Sequence, residues 1–480
     1  MRKRNGGFIA GWIKGSFRFL IVCCLLLAMV LTACTPTGQG TPAAGPGENN
    51  PTSNPGSTNP SPSPTLPPEL PVKVVSQAMV PDMQGNLHVA GEVRNESGQN
   101  ATDILLTLVA QDAGGVSVFK NEAGESLPEI TFAPLVADLA NGQTAPFDYA
   151  LPAGVSAPPL VQVFVSGFTP LAAELLTLQV EHAQVMTGPG GEAVLVGELV
   201  NQNAVAVDVG AAAAVLRNSE NDPISAGKAG VLPGMLQPAG DSLNQDRAPF
   251  KIPLYASLPE GATWQVYTSA VQTDPVDTSL FAIDQAVNTY ADSRGVLHMV
   301  SNVRNNAERA FSVQILAALY SSTASVLDDS LAALPVDLAA GEELPFEITG
   351  FTLLDGNTDQ QSKLGEYTLQ VDAFRTVPSD LVWSKLSPEG DQAQDQGQGV
   401  WKFSGSVTNT TAGDLQRIVV VAILKSSITG AVTAVSSAAL VNPAGMIAPG
   451  VHMDYAVEVW SDPASPENLK PDILVFGAGG

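Results

Sequence analysis

The sequence predicts an all-β chain made of four copies of one small sandwich, and three observations carry that prediction. A short phrase returns at a fixed period: Gly91-Glu92-Val93-Arg94-Asn95, Gly197-Glu198-Leu199-Val200-Asn201, Ser301-Asn302-Val303-Arg304-Asn305 and Gly405-Ser406-Val407-Thr408-Asn409. The closing asparagines stand 104 to 106 residues apart, and a period of about one small domain means a tandem array. Around each phrase, apolar and polar residues alternate with period two, as in a half-buried strand. After residue 70 no stretch of about a dozen residues has helical periodicity, while 44 Gly and 36 Pro supply turns.

Taken in order, the chain opens on five basic residues (Arg2, Lys3, Arg4, Lys14, Arg18) and an apolar run from Phe19 to Val30. A run of about 12 residues suits a signal-peptide core and is short for a bilayer span. Directly behind it stand Leu31, Thr32, Ala33 and Cys34. These four resemble the lipobox of bacterial lipoproteins, in which Leu, a small residue and Ala or Gly precede the cysteine. The resemblance implies a signal peptide over 1–33, lipid on the Cys34 thiol, and a mature chain held on the outer face of a membrane with no transmembrane helix. The competing reading is an ordinary signal peptide, or an uncleaved anchor, with a chance cysteine.

Residues 34–70 hold the lipidated cysteine and a run of Thr, Pro, Gly, Ser and Asn with almost no large apolar side chain. Such a composition cannot build a core and predicts a disordered linker. It would reach roughly 110 Å as polyproline helix and about 35 Å as a coil. It serves either as a stalk through a wall or as a spacer that lets the lipid reach the bilayer.

The four sandwiches are expected over 71–170, 171–275, 276–376 and 377–480. In the first, Leu87, Val89, Gly91 and Val93 should point inward and His88, Ala90, Glu92 and Arg94 outward. In the fourth, Trp401, Phe403, Gly405 and Val407 alternate with Lys402, Ser404, Ser406 and Thr408. The glycine should leave room for a large side chain from the facing sheet. The asparagine should end the strand by bonding nearby backbone and by tolerating a left-handed turn. Where Ser301 replaces the glycine, the third copy should tolerate a larger group or pack more loosely.

A second alternating strand follows: Ile104, Leu106, Leu108, Ala110 in the first copy and Ile418, Val420, Ala422, Leu424 in the fourth. Val313, Ile315, Ala317 and Leu319 stand one residue out of step, which predicts a shorter loop or a bulge. The second copy is rich in alanine from Ala211 to Ala214 and should have a thinner core. A third shared signal is a turn leading to a buried aromatic: Gly142 to Pro146-Phe147, Ala248-Pro249-Phe250, Gly341 to Pro345-Phe346, and Gly450 with Tyr455. The last strands lie at 161–165, 264–267, 367–371 and 473–476.

On these motifs the copies resemble immunoglobulin-like domains of bacterial surface lipoproteins, close to the FxLYD and CARDB-like groups. The resemblance spans 71 to 480 and implies an immunoglobulin-like β-sandwich that serves interaction or spacing at the cell surface. It carries over no catalytic residue. The Tyr-Asp pair of FxLYD is not intact, because Leu319-Tyr320 is followed by Ser321 and the other copies lack the tyrosine.

Composition narrows the function. The net charge is −25, and residues 1–33 hold five of the 22 basic residues and none of the 47 acidic ones, so the rest is more acidic still. Such a surface repels phosphate backbones and anionic head groups, which argues against nucleic acid as a partner. All three cysteines (Cys23, Cys24, Cys34) lie in the first 34 residues, so no disulfide can staple the sandwiches.

Candidate chemistry is sparse, and no catalytic, cofactor or metal residue is expected. His88 and His298 share a position seven before the asparagine, filled by Val194 and Lys402 in the other copies. With His182 and His452 they are expected at the surface, without the converging ligands zinc needs. Asp328-Asp329 and Glu342-Glu343 are expected as solvated loop charges rather than a glycosidase pair. Asp391 and Asp395, in a Gln- and Gly-rich loop, are weak calcium candidates. Of the tryptophans, Trp383, Trp401 and Trp460 fall in the fourth copy; Trp401 should be core, and an exposed Trp460 could stack on sugar. The expected function is therefore non-enzymatic: a lipid-anchored surface protein with a structural or protein-binding role. Alternatives are a glycan-binding fourth copy, or an accessory subunit of an envelope or transport complex.

Overall fold

The computed structural model describes residues 3–4 and 70–479, apart from 231–233, 241–244, 276, 355, 373–374, 444 and 466–467. The lipobox expected at Leu31 to Cys34 and the linker expected up to residue 70 lie outside the described residues, save Leu70. The chain from 70 on falls in one compact unit of antiparallel strands, with one short helix among the described residues, Thr358–Gln361, and a 3-10 turn, Thr278–Leu280. No helix among the described residues is long and apolar enough to cross a membrane.

Each repeat is a two-layer sandwich. One layer, the phrase sheet, has the recurring phrase on its central strand. In repeat 1 it comprises Val72–Pro81, Leu87–Asn95 and Thr144–Ala150. Its counterparts are Gln179–Thr187, Ala193–Val200 and Arg247–Pro253 in repeat 2, and Pro388–Gly397, Val400–Thr408 and His452–Trp460 in repeat 4. In repeat 3 the first strand is split into Phe281–Ile283 and Asn288–Ala291, beside Leu297–Asn305 and Glu343–Ile348.

The other layer, the hairpin sheet, pairs a central strand with the one that follows it and with the last strand of the repeat. In repeat 1 these are Asn100–Gln111, Ile130–Phe132 and Leu160–Leu171. In repeat 2 they are Val207–Arg217, Pro223–Lys228 and Thr263–Gln272. Repeat 3 has Gln314–Ser321, Val326–Ala333 and Leu364–Val371, with Lys3–Arg4 beside the last. Repeat 4 has Leu415–Ser426, Val432–Leu440 and Leu469–Gly479, with Trp383–Leu386 at the edge. The chain changes sheet after the phrase strand, after the hairpin and before the last strand, which is the Greek-key pattern of immunoglobulin-like sandwiches.

The phrase is a folding signature with two parts. Its asparagine is almost completely buried in all four repeats. Asn95 Nδ2 donates to the carbonyls of Gln99 (2.8 Å) and Leu139 (2.9 Å), while its Oδ1 accepts the Ser97 N–H (3.0 Å). Asn201, Asn305 and Asn409 repeat all three bonds, reaching Gln237, Leu338 and Ile447 across the sandwich end. The amide thus ties two loops together, and none of the four adopts the left-handed conformation expected of it.

The glycine also works differently from expectation. The aromatic ring it makes room for comes from the neighbouring strand of its own sheet, since Gly91 pairs with Phe147, Gly197 with Phe250 and Gly405 with Tyr455. A Cβ at Gly197 would sit 2.7 Å from the Phe250 ring. In repeat 3, Ser301 pairs with Phe346 and donates its hydroxyl to Asp284 O (3.0 Å), in the gap of the split first strand. The serine is accommodated by breaking that strand. The step in register of the third copy falls at Val313, between Phe311–Ser312 and Gln314–Ser321, and Val313, Ile315, Ala317 and Leu319 do face the core.

Candidate interaction sites at the repeat junctions

Period-two reasoning places the outer face of each phrase strand in solvent. The fold places it against the next repeat. The second strand of each hairpin (Pro223–Lys228, Val326–Ala333, Val432–Leu440) lies on the phrase sheet of the preceding repeat. All three junctions use this mode, so eight sheets follow one another as layers. Ala193–Val200 is buried along its whole length. The alanines of repeat 2 serve this geometry: Ala212 and Ala214 face their own core, while Ala211, Ala213 and Val215 pack with the core of repeat 1. Small side chains let two sheets approach closely.

Each junction carries buried polar chemistry. At the first, the phrase acid Glu92 is only 4% exposed and accepts hydrogen bonds from Tyr267 Oη and Arg217 Nη2 of repeat 2. At the second, Glu198 is 1% exposed and accepts from Tyr320 Oη of repeat 3 (2.6 Å), with His182 Nδ1 (2.7 Å) and Arg247 (3.4 Å) beside it. Around it Met186, Val194 and Val196 pack on Ala318, Tyr320, Val326 and Leu353. A buried carboxylate is stable only where its partners satisfy it, and here the partner comes from the next repeat.

Lys251 of repeat 2 adds a second tie to repeat 3. Its ammonium donates to Asp328 Oδ1 (2.5 Å), Asp329 O (3.0 Å) and Thr352 Oγ1 (3.2 Å). Asp328 also accepts the Leu353 N–H (2.7 Å) and, with Asp329, sits on a buried strand, so the expectation of solvated loop charge is corrected. Burial pushes Asp328 up to about 6 although Lys251 opposes it. The same acids hold Lys251 above the ordinary lysine value against the cost of burial. A cleft of about 450 Å³ opens here, lined in part by Glu192, Lys251, Asp329 and Thr352, with Lys251 already bonded to repeat 3.

The third junction replaces the acid with Asn302. Tyr290 Oη donates to Trp460 O of repeat 4 (2.7 Å), the Arg294 guanidinium lies 3.6 Å over the Trp460 ring, and Asn288 Nδ2 donates to Thr433 O (2.8 Å). With one ring face covered by arginine, Trp460 is a junction anchor and not the open sugar platform considered from sequence. Trp383 donates through Nε1 to Asp337 of repeat 3 (3.0 Å), and Trp401 packs against the core.

Two of the histidines are corrected as well, while His182 and His452 are exposed as expected. His298 is 3% exposed, and His88 is mostly covered. Asp391 and Asp395 stand exposed on the strand Pro388–Gly397 and not in a loop. No cluster of three or more His, Cys, Asp or Glu able to hold a metal occurs among the described residues.

The two ends of the stack differ from its interior. The outer face of the last phrase sheet carries Lys402, Ser404, Ser406, Asp454 and Glu458, where the covered phrase sheets of repeats 1 to 3 place Ala90, Val194, Val196 or Val300. The proline of the interior Pro-Phe pair lies on this same outer face, paired with Glu92, Glu198 or Asn302; repeat 4 has Asp454 there. At the other end, repeat 1 shortens the docking strand to Ile130–Phe132.

No protein-family model matches the chain, and no curated protein matches it. Among solved structures it is similar to the native conformation of E. coli alpha-2-macroglobulin at 10% identity and a TM-score of 0.12. That match covers 85% of this chain and 27% of the other, so the chain spans about a quarter of that protein's length. A likeness at this score carries no argument about function.

Proposed function

We propose that this chain is a non-enzymatic, lipid-anchored protein of the cell exterior, whose four stacked sandwiches act as a stiff spacer presenting a protein-binding or cell-wall-binding surface. The observation that carries this reading is the threefold repetition of one sheet-on-sheet junction, closed each time by a buried polar contact between neighbouring repeats. Tandem repeats joined by flexible links would not need Glu92, Glu198 and Lys251 to find their partners in the next repeat. Ends that lack the apolar docking face stop such a stack from growing, as terminal repeats do in other arrays. The acidic surface supports a partner other than nucleic acid.

The anchor rests on Leu31-Thr32-Ala33-Cys34. Cells fed a palmitate analogue should label the wild-type chain and leave Cys34→Ser unlabelled, with the variant released to the medium or the periplasm. Equal labelling of the two would overturn the anchored reading. Crosslinking on intact cells followed by mass spectrometry then identifies the partner; contacts should map to repeat 4 and the exposed sheet edges rather than to the buried junctions.

A further inference from the structure

We propose that His88 and His298 are proton-operated clamps: in the protonated form each ring bridges two carboxylates and holds the tyrosine that joins its repeat to the next. The two occupy the same position of the phrase strand, in repeats 1 and 3. His88 Nδ1 is 2.9 Å from Asp148 Oδ2 and its Nε2 is 3.7 Å from Asp82 Oδ2. Its ring stacks at 3.9 Å on Tyr255, which belongs to repeat 2. His298 Nδ1 is 2.7 Å from Glu347 Oε1 and its Nε2 is 3.4 Å from Asp292 Oδ2. Its ring stacks at 4.8 Å on Tyr290, whose hydroxyl donates to Trp460 O of repeat 4.

Both ring nitrogens of each histidine therefore face a carboxylate. A neutral imidazole has one N–H and one lone pair, so one side must set that lone pair against a carboxylate in a mostly buried site. The imidazolium donates a hydrogen bond through Nδ1, meets the second carboxylate as an ion pair on the Nε2 side, where His298 makes no hydrogen bond, and removes the conflict. Burial disfavours the charged ring, but the two carboxylates of Asp292 and Glu347 outweigh it, and His298 is held above the ordinary histidine value. Asp148 and Asp82 do the same for His88. Asp292 is held below the usual carboxylate range by His298 and Arg294, against burial.

The charged groups facing His298 are Asp292 and Glu347, with Arg294 paired to the same Asp292 oxygen, Oδ2, that His298 Nε2 faces, and Asp462 of repeat 4 acting on Tyr290. Those facing His88 are Asp82 and Asp148. A raised folded pKa gives stability that is complete below the unfolded value of about 6.5 and is lost as pH rises through the folded value. The first and third junctions should thus be firm below the ordinary histidine value and loosen as pH rises through the raised folded values. The second, where Val194 fills the position, has no such clamp.

The test is a titration of the full chain from mildly acid to alkaline pH, with the four histidines followed by NMR and particle size by X-ray scattering. His88 and His298 should titrate above an ordinary histidine, and the radius of gyration should rise through the same range. A His88→Gln/His298→Gln chain should show a pH-independent radius. Two histidines titrating at or below the ordinary value, or a wild-type radius constant through their titration, would overturn the proposal. The wild-type titration decides the matter even if the double variant misfolds. Neither result bears on lipidation of Cys34, so the clamps and the anchored spacer stand or fall separately.

Discussion

The phrase strand of repeat 2, Ala193–Val200, and that of repeat 4, Val400–Thr408, form the same hydrogen bonds to the same neighbours and end on the same buried asparagine. Their outer faces share nothing. Val194, Val196 and Glu198 are buried under repeat 3, whereas Lys402, Ser404 and Ser406 keep partial or full contact with solvent. The difference shows that inward positions are set by the sandwich and outward positions by place in the stack. One strand obeys two separate sets of constraints.

Substitutions at matched positions should separate the two sets. Val196→Asp places an unpaired charge between repeats 2 and 3 and should cost about 3–5 kcal/mol in chemical denaturation. Ser404→Asp, at the equivalent place on the end face, should stay within about 0.5 kcal/mol. Comparable losses at both sites would mean that the end face is also covered.

Glu92→Ala should come next, at roughly 2–4 kcal/mol, because it leaves Tyr267 and Arg217 buried without their acceptor. Ser406→Ala, at the same phrase position in repeat 4, should be nearly silent. The asparagine reverses the logic. Asn201→Ala and Asn409→Ala remove the same three buried hydrogen bonds, so each should cost about 1–3 kcal/mol irrespective of place in the stack. A clear gap between the two would show that the loops of one repeat rely on its neighbour.

Much of the sandwich was legible from these same residues. The period of the phrase, the asparagine that closes it and the aromatic that follows each Pro are local devices, and local devices repeat wherever the fold repeats. The junctions were not legible by the same means, because reading one repeat at a time assigns its outer face to water. A signal was present all the same. Ile418 to Leu424 is apolar at every position, and so are Val194, Leu195 and Val196; continuous runs of that kind indicate burial on both faces. Glu92 and Glu198 looked like solvated positions because a buried acid is recognisable only with its partner, and Tyr267 and Tyr320 lie more than 100 residues away in sequence.

The histidines were hidden for the same reason: their carboxylates come from a second strand and a turn, and the tyrosine on His88 comes from another repeat. The lipobox resemblance at Leu31 to Cys34 needed no fold to be noticed, because it is a pattern of consecutive residues.

The central claim is that neighbouring repeats are energetically coupled through their outer faces. A double-mutant cycle on Glu198→Gln and Tyr320→Phe, followed by denaturant unfolding of the full chain, tests it most directly, because the two side chains meet only across the junction. Stacking predicts a coupling energy of about 1–2 kcal/mol between them. Additive effects, with coupling below about 0.3 kcal/mol, would contradict it and leave four sandwiches that merely share a chain.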